Sequence, residues 1–412
     1  MGAQHDCAGP HGSARRPRPS LELADIIREY RGAYAAQYGL TPTESAVLDA
    51  IERCRTAALG GHVDECLDCG HERPSYNSCH DRHCPKCPAV AQAKWIGGRL
   101  ERVLPTHYFH VVFTLPAELR GLWAINPRQG YDLLFRCAAE TLLDLGRDEN
   151  RLGGELGITM VLHTWSRDLS YHPHVHCIVT GGVLTSDGRW RSARPDYLFP
   201  VAVLGKLFRG KMLAALRQAH HRGKLRVGDD PGFNALLAKL YRTTWVPYCK
   251  RPFGGPEQVI RYLGQYTHRV AISNHRLVAM DERGVTFRTK DGKHVTLDGV
   301  TFLRRWLQHL LPPRFVKIRH FGLMSAAHAK TRLELARVEL ERIELTKHHG
   351  DVAPHRATLS PSKIASSAVT WTEIIAVLTG IHLDICPRCG SPRLERRPLP
   401  RGPPIAKAEQ AA

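Results

Sequence analysis

The chain has 412 residues, 43% of them hydrophobic and 24% charged, with 58 Lys and Arg against 39 Asp and Glu for a formal net charge of +19. That length supports two or three compact domains, and no apolar run approaches the roughly 18 residues of a membrane span, so no membrane partner is expected. The excess of cations favours a polyanionic partner bound through counterion-releasing phosphate contacts, and nucleic acid is the natural one.

Residues 1–20, with Arg15-Arg16-Pro17-Arg18-Pro19, lack the apolar segment of a secretory signal and read as a disordered basic arm. Twelve cysteines, several in Cys-x2-Cys pairs, then point to metal-bound thiolates in a reducing, cytoplasmic compartment rather than to disulfides. From about 22 to 58 the chain reads as helical. Leu21, Leu23, Ile26, Ile27 and Tyr30 recur at helical spacing, and a second helix follows Thr41-Pro42-Thr43-Glu44, carrying Val47, Leu48 and Ile51.

Cysteines and turn residues dominate from 54 to 88. Cys66-x2-Cys69 and Cys84-x2-Cys87 form two knuckles that together can place four thiolates at the corners of a tetrahedron, the ligand set of structural Zn2+ with no open position for catalysis. Cys54, His62, Cys79 and His83 interleave with them and offer a second site, although these histidines equally suit an ordinary surface. Residues 21–100 thus read as a helical and zinc-binding DNA-recognition domain.

Strand texture begins at Tyr108-Phe-His-Val-Val-Phe-Thr-Leu115 and is ended by Pro116. A helix is expected over 128–148, then strands over Ile158–Trp165 and His174–Thr180. In His172-Pro173-His174-Val175-His176, strand alternation sends His174 and His176 to one face and Val175 to the other, which is a metal-ligand geometry. His163 on the preceding strand, Asp168 and Glu257 stay open as a third ligand, since a one-residue slip would turn His163 away. Residues 199–222 read as a basic amphipathic helix.

A further helix, from Pro256-Glu257 to about Val270, carries Tyr262 and Tyr266. Four residues apart, both phenols lie on one helical face. They suit either a pair of nucleophiles activated beside a cation or part of an apolar stripe with Val259, Leu263 and Val270. Arg276–Met280, Val285–Thr289 and His294–Leu297 read as a small antiparallel meander, and 325–346 as a charged helix. The remainder is a basic, proline-rich tail with a lone knuckle, Cys386-Pro-Arg-Cys389-Gly390, which recruits histidines, pairs across a dimer or binds nothing.

Phe113-Thr-Leu-Pro116, the His172–His176 motif and Tyr262-x3-Tyr266 occur in the order found in rolling-circle transposases of the insertion sequence 91 family, and the sequence resembles that family from about 40 to 325. The resemblance also takes in Tyr76-Asn-Ser-Cys79 through Cys84-Pro-Lys-Cys87 and the stretch Thr267–Arg276. It implies an α+β fold: an antiparallel-sheet nuclease domain of the histidine–hydrophobe–histidine type over 105–325, flanked by helices, preceded by the helical and zinc-ribbon domain and followed by the charged helix and tail of 326–412. It further implies Mg2+ or Mn2+ at His174 and His176, and strand transfer by Tyr262 and Tyr266. The function expected is nicking and rejoining of single-stranded DNA through a 5′-phosphotyrosine. The partners expected are single-stranded DNA and transposon-end DNA, with Trp165 and Trp245 available for base stacking, and a homo-oligomer as an option. A replication initiator with the same chemistry, or a zinc-ribbon DNA-binding regulator without catalysis, are the alternatives.

Overall fold

A computed structural model describes residues 19–87, 102–253, 271–348 and 382–403. Helices α1 (Leu23–Tyr38) and α2 (Pro42–Arg53) open the chain, followed by strands β1 (Gly61–Cys66) and β2 (Glu72–Tyr76). β3 (Tyr108–Thr114), β4 (Gly154–Trp165), β5 (Tyr171–Thr185), β6 (Trp190–Ser192) and β7 (Tyr248–Phe253) come next. β8 (Leu277–Asp281), β9 (Gly284–Arg288), β10 (His294–Leu297), β11 (Ile318–Gly322) and β12 (Leu394–Leu399) complete the strands among the described residues. The start of α2 follows its sequence: the Thr41 hydroxyl accepts from the Glu44 N–H while the Glu44 carboxylate accepts from the Thr41 N–H, and Pro42 occupies the first turn.

Among the described residues the strands form three antiparallel sheets. The central one has the order β11-β4-β5-β3-β7, with β6 added to the far end of β5. One face is apolar at every second position: Phe109, Val111 and Phe113 on β3, Ile158, Met160 and Leu162 on β4, Val175, Cys177 and Val179 on β5. It is covered by the helices Pro127–Arg147 and Val201–His221 through Leu134, Phe135, Leu142, Phe208, Met212 and Leu216. Period-2 alternation thereby sends the intervening residues of these strands to the opposite face. That second face is covered at one end by Leu333, Ala336 and Leu340 of the helix Arg332–His348, packed on Ile178 and Leu184. Its other end carries histidines.

β4 and β5 change register between Leu156 and Ile158, opposite Gly181 and Gly182 of β5. A Cβ on Gly181 would come within 2.3 Å of the His107 ring, so any larger residue there would have to displace that ring. Beyond that irregularity the pairing is continuous to His163, which fixes what each strand presents to the site.

α1, α2, the β10-β9-β8 meander and the helix Gly299–Leu307 share a second core built on Leu23, Ile26, Leu48, Ile51, Phe287 and Trp306. Leu169, from the β4–β5 turn, is buried in it with a left-handed φ of 64°. The third sheet, β12-β1-β2, joins residues from both ends of the chain. The architecture is the α+β one expected, an antiparallel sheet flanked by helices behind a helical and cysteine-bearing segment. The strand β12 within the tail was not expected, because its partner β1 lies more than 320 residues away and local periodicity carries no trace of such pairing.

Candidate metal centres

His163 and His174 are direct cross-strand partners in the run from Ile158↔Val179 to His163↔His174. His176 is two residues along β5 and so on the same face. The ligand nitrogens of the three imidazoles lie within 4.8 Å of one another. Ring centroids are 4.5 Å apart for His163 and His176, 4.9 Å for His174 and His176, and 5.5 Å for His163 and His174. Of the three open choices for a third ligand, the register thus favours His163. Asp168 is committed elsewhere: its carboxylate accepts from the Ser166 and Ser170 hydroxyls and the Ser170 N–H inside the turn. Burial raises its pKa, but those bonds outweigh it and hold the group at about 2. Glu257, Tyr262 and Tyr266 lie outside the described residues.

The orientation of the pair is fixed by partners. His174 donates from Nδ1 to the His172 carbonyl at 2.6 Å, and Nδ1 of His176 is 2.9 Å from Nε2 of His110 on β3. With Nδ1 engaged in both rings, Nε2 is the nitrogen each can offer a cation. Trp165 stacks on His163 with centroids 4.7 Å apart and walls that side. Burial pushes His174 down to about 4, and it carries His176 well below its ordinary range, with His163, His174, His110 and Lys290 adding to the effect. Both imidazoles are therefore neutral near pH 7, the form that coordinates a metal. Three imidazole nitrogens also suit Mn2+ better than the harder Mg2+, which prefers oxygen ligands.

His110 was not singled out in the sequence. Its signal is one buried polar residue in an otherwise apolar strand, a pattern that by itself more often marks a satisfied core histidine. Trp245 is corrected: it is buried against Phe208 and donates its indole N–H to the Leu240 carbonyl at 3.2 Å, so it packs the core and offers no stacking platform.

The cysteines assemble differently from their spacing. Cys66, Cys69, Cys84 and Cys87 do not meet as one set. Cys84 and Cys87 join Cys54 and Cys79, while Cys66 and Cys69 join Cys386 and Cys389, the ligand atoms of each group lying within 4.8 Å of one another. The reason is the β1–β2 hairpin. Gly61 pairs with Tyr76 at its open end, next to Cys54 and Cys79, whereas Cys66 ends β1 at the other, five residues or about 17 Å of strand away. The tip cannot reach the knuckle at Cys84.

His62 and His83, read with Cys54 and Cys79 as a second site, are not ligands of either group. Nε2 of His62 lies 3.7 Å from Asp64 on β1, and Nε2 of His83 accepts from the Leu311 N–H at 3.1 Å while its Nδ1 faces Asp81. In the first group, Sγ of Cys87 is 3.4 Å from that of Cys54 and 3.6 Å from that of Cys79. A tetrahedron with Zn–S bonds of about 2.3 Å has edges of about 3.8 Å, so the set fits zinc with small adjustment. Thiol bonds from Cys54, Cys79 and Cys84 hold Cys87 well below the usual thiol range.

The chain is similar to known proteins over most of its length. Residues 157–332 match a family model described as "Putative transposase", and residues 26–115 one described as "Transposase zinc-binding domain". A protein of Sinorhizobium fredii described as "Putative transposase y4qJ" is 45% identical over 78% of this chain and 84% of its own length. The transposase for insertion sequence element IS801 of Pseudomonas savastanoi pv. phaseolicola is 30% identical over 70% of this chain and 72% of its own. Among solved structures, the conjugative relaxase TrwC in complex with oriT DNA aligns with 57% of this chain and 71% of that one at 14% identity and a TM-score of 0.22, too loose an overlap to bear on the fold.

Proposed function

The chain belongs to the insertion sequence 91 family of transposases with an N-terminal zinc-binding domain, and from that premise we propose that it nicks and rejoins single-stranded DNA at transposon ends through a tyrosine-linked intermediate. The observation that carries the reading is the convergence of His163, His174 and His176 on one buried patch of the central sheet.

Bound there, Mn2+ or Mg2+ would supply the positive charge that polarises the scissile phosphate. The chain's own residues do the rest. His163, His174 and His176 would hold the cation, and the carbonyl of His172 and the ring of His110 keep His174 and His176 in place. Positive charge at the rim, from Arg120 beside His172 and from Lys290, suits an anionic substrate. The phenolate of Tyr262 or Tyr266 attacks phosphorus; a phosphorus–oxygen bond to the tyrosine forms as the bond to the 3′-oxygen breaks. The 3′-oxygen takes a proton and the DNA 5′-phosphate stays on the protein. The second tyrosine performs the matching step on the other strand end.

Zn2+ in the Cys54, Cys79, Cys84 and Cys87 group is structural in this reading, since four thiolates leave no open position. Bound by Cys54 at the end of α2, it would brace that helix for recognition of transposon-end DNA. The cytoplasm is the compartment that keeps such thiolates reduced. A zinc-ribbon regulator without catalysis would leave the three converging imidazoles without a use.

The test is to replace His174 or His176 by Ala and assay cleavage of single-stranded oligonucleotides with Mn2+ or Mg2+. Either substitution is expected to cut nicking on the order of 100-fold or more, with DNA binding largely kept because the basic surface carries it. Cleavage at the unsubstituted rate by either variant would refute the metal assignment.

A further inference from the structure

The lone knuckle of the tail has a counterpart at the other end of the chain. Cys66-Leu67-Asp68-Cys69-Gly70 and Cys386-Pro387-Arg388-Cys389-Gly390 fold alike. In each, the glycine takes a left-handed φ, 66° at Gly70 and 76° at Gly390, and donates its N–H to the carbonyl of the first cysteine at 2.9 Å. Such a turn needs glycine and brings the two thiols of a knuckle to one side. The knuckles face each other: Sγ of Cys66 is 3.5 Å from that of Cys389, and Sγ of Cys69 is 3.7 Å from that of Cys386. All four are thiols rather than disulfides, and their spacing matches the roughly 3.8 Å edge of a zinc–thiolate tetrahedron.

The surrounding structure is built to hold the two ends together. β12 pairs with β1 along its whole length, from Gly61↔Leu399 to Cys66↔Leu394. Asp64, buried on the central strand of that sheet, accepts from Arg73 of β2 at 3.0 Å and from Arg396 of β12 at 2.7 Å. At the knuckle end the Leu67 N–H donates to the Arg393 carbonyl at 3.0 Å, and Arg393 pairs with Asp68 at 2.7 Å. Four soft ligands and a closed shell specify a structural ion.

We propose that Cys66, Cys69, Cys386 and Cys389 bind a second structural Zn2+ that fastens the C-terminal segment 382–403 onto the β1–β2 hairpin, separate from the zinc of the Cys54 group. The matched zinc-binding model ends at 115 and so contains only half of these ligands. The nuclease domain lies between the two half-sites in sequence, so this ion closes a loop of about 320 residues. Neither half-site can hold zinc tightly alone, which makes the site dependent on a finished C-terminus. The inference does not rest on the nuclease chemistry.

The test uses the full chain, stripped of exchangeable metal with a mild chelator and measured by elemental analysis and native mass spectrometry. Two zinc ions per chain are expected, and one in the Cys386→Ser, Cys389→Ser double variant. A Cys54→Ser, Cys79→Ser variant tests the converse and is expected to keep the clasp ion. Limited proteolysis separates local loss from global unfolding: in the Cys386→Ser, Cys389→Ser variant, cleavage is expected within 382–403 while the central sheet stays resistant. One zinc in the unsubstituted chain, two in the Cys386→Ser, Cys389→Ser variant, or loss of both ions there with the central sheet intact would each overturn the proposal.

Discussion

At His176 four imidazoles depend on one another. His163 and His174 share the proposed cation with it, while His110 meets its far nitrogen, 2.9 Å away. His110 is therefore a positioning residue, setting the tautomer and tilt of a ligand it does not replace. His110→Ala is expected to weaken Mn2+ binding about 10- to 100-fold, measured by calorimetric titration, with His110→Gln recovering part of it by restoring a hydrogen-bonding group. Equal Mn2+ affinity in all three proteins would reduce His110 to packing. How far each ligand was legible depends on its signal. His174 and His176 declare themselves by alternation within one strand. His163 needs the register of two strands, which rests on an irregularity at Gly181 that composition does not announce. His110 has no spacing partner at all, since its contact crosses from β3 to β5.

At the scale of elements, local chemistry was readable and long-range pairing was not. The second helix could be located from Thr41-Pro42-Thr43-Glu44 because capping is decided within four residues. Thr41→Ala is accordingly expected to cost about 1 kcal/mol, read as a shift in denaturant midpoint at unchanged slope, with Thr41→Ser close to neutral. A Thr41→Ala midpoint equal to that of the parent would mean the exposed cap contributes nothing. The cysteine knuckles show the opposite case. Each Cys-x2-Cys is plain in sequence, but which pairs combine depends on where a hairpin carries them. Nearness in the chain suggested Cys66 and Cys69 with Cys84 and Cys87; β1 and β2 hold those pairs apart and bring Cys386 and Cys389 in their place. The same limit concealed β12, whose sequence Leu394-Glu-Arg-Arg-Pro-Leu399 reads as tail until β1 is set beside it.

On the scale of the whole molecule, a charge of +19, a cysteine-rich module and a central sheet with converging histidines fit the proposed function, in which basic surfaces would gather DNA, a zinc-bearing segment would orient it, and the sheet would present a phosphate to a nucleophile. A groove of about 940 Å³ is lined by Arg128, Arg136, Arg222, Lys224 and Arg226 together with Asp132. The nucleophile we propose is Tyr262 or Tyr266. The most direct measurement is to incubate the protein with single-stranded DNA and Mn2+, digest the covalent complex and sequence the DNA-linked peptide by mass spectrometry. A phosphodiester on Tyr262 or Tyr266 is expected, absent from the Tyr262→Phe, Tyr266→Phe double variant, whereas at least one single variant still cleaves once without completing strand transfer. DNA linked to a serine or to a tyrosine elsewhere, or an undiminished adduct in the double variant, would contradict it.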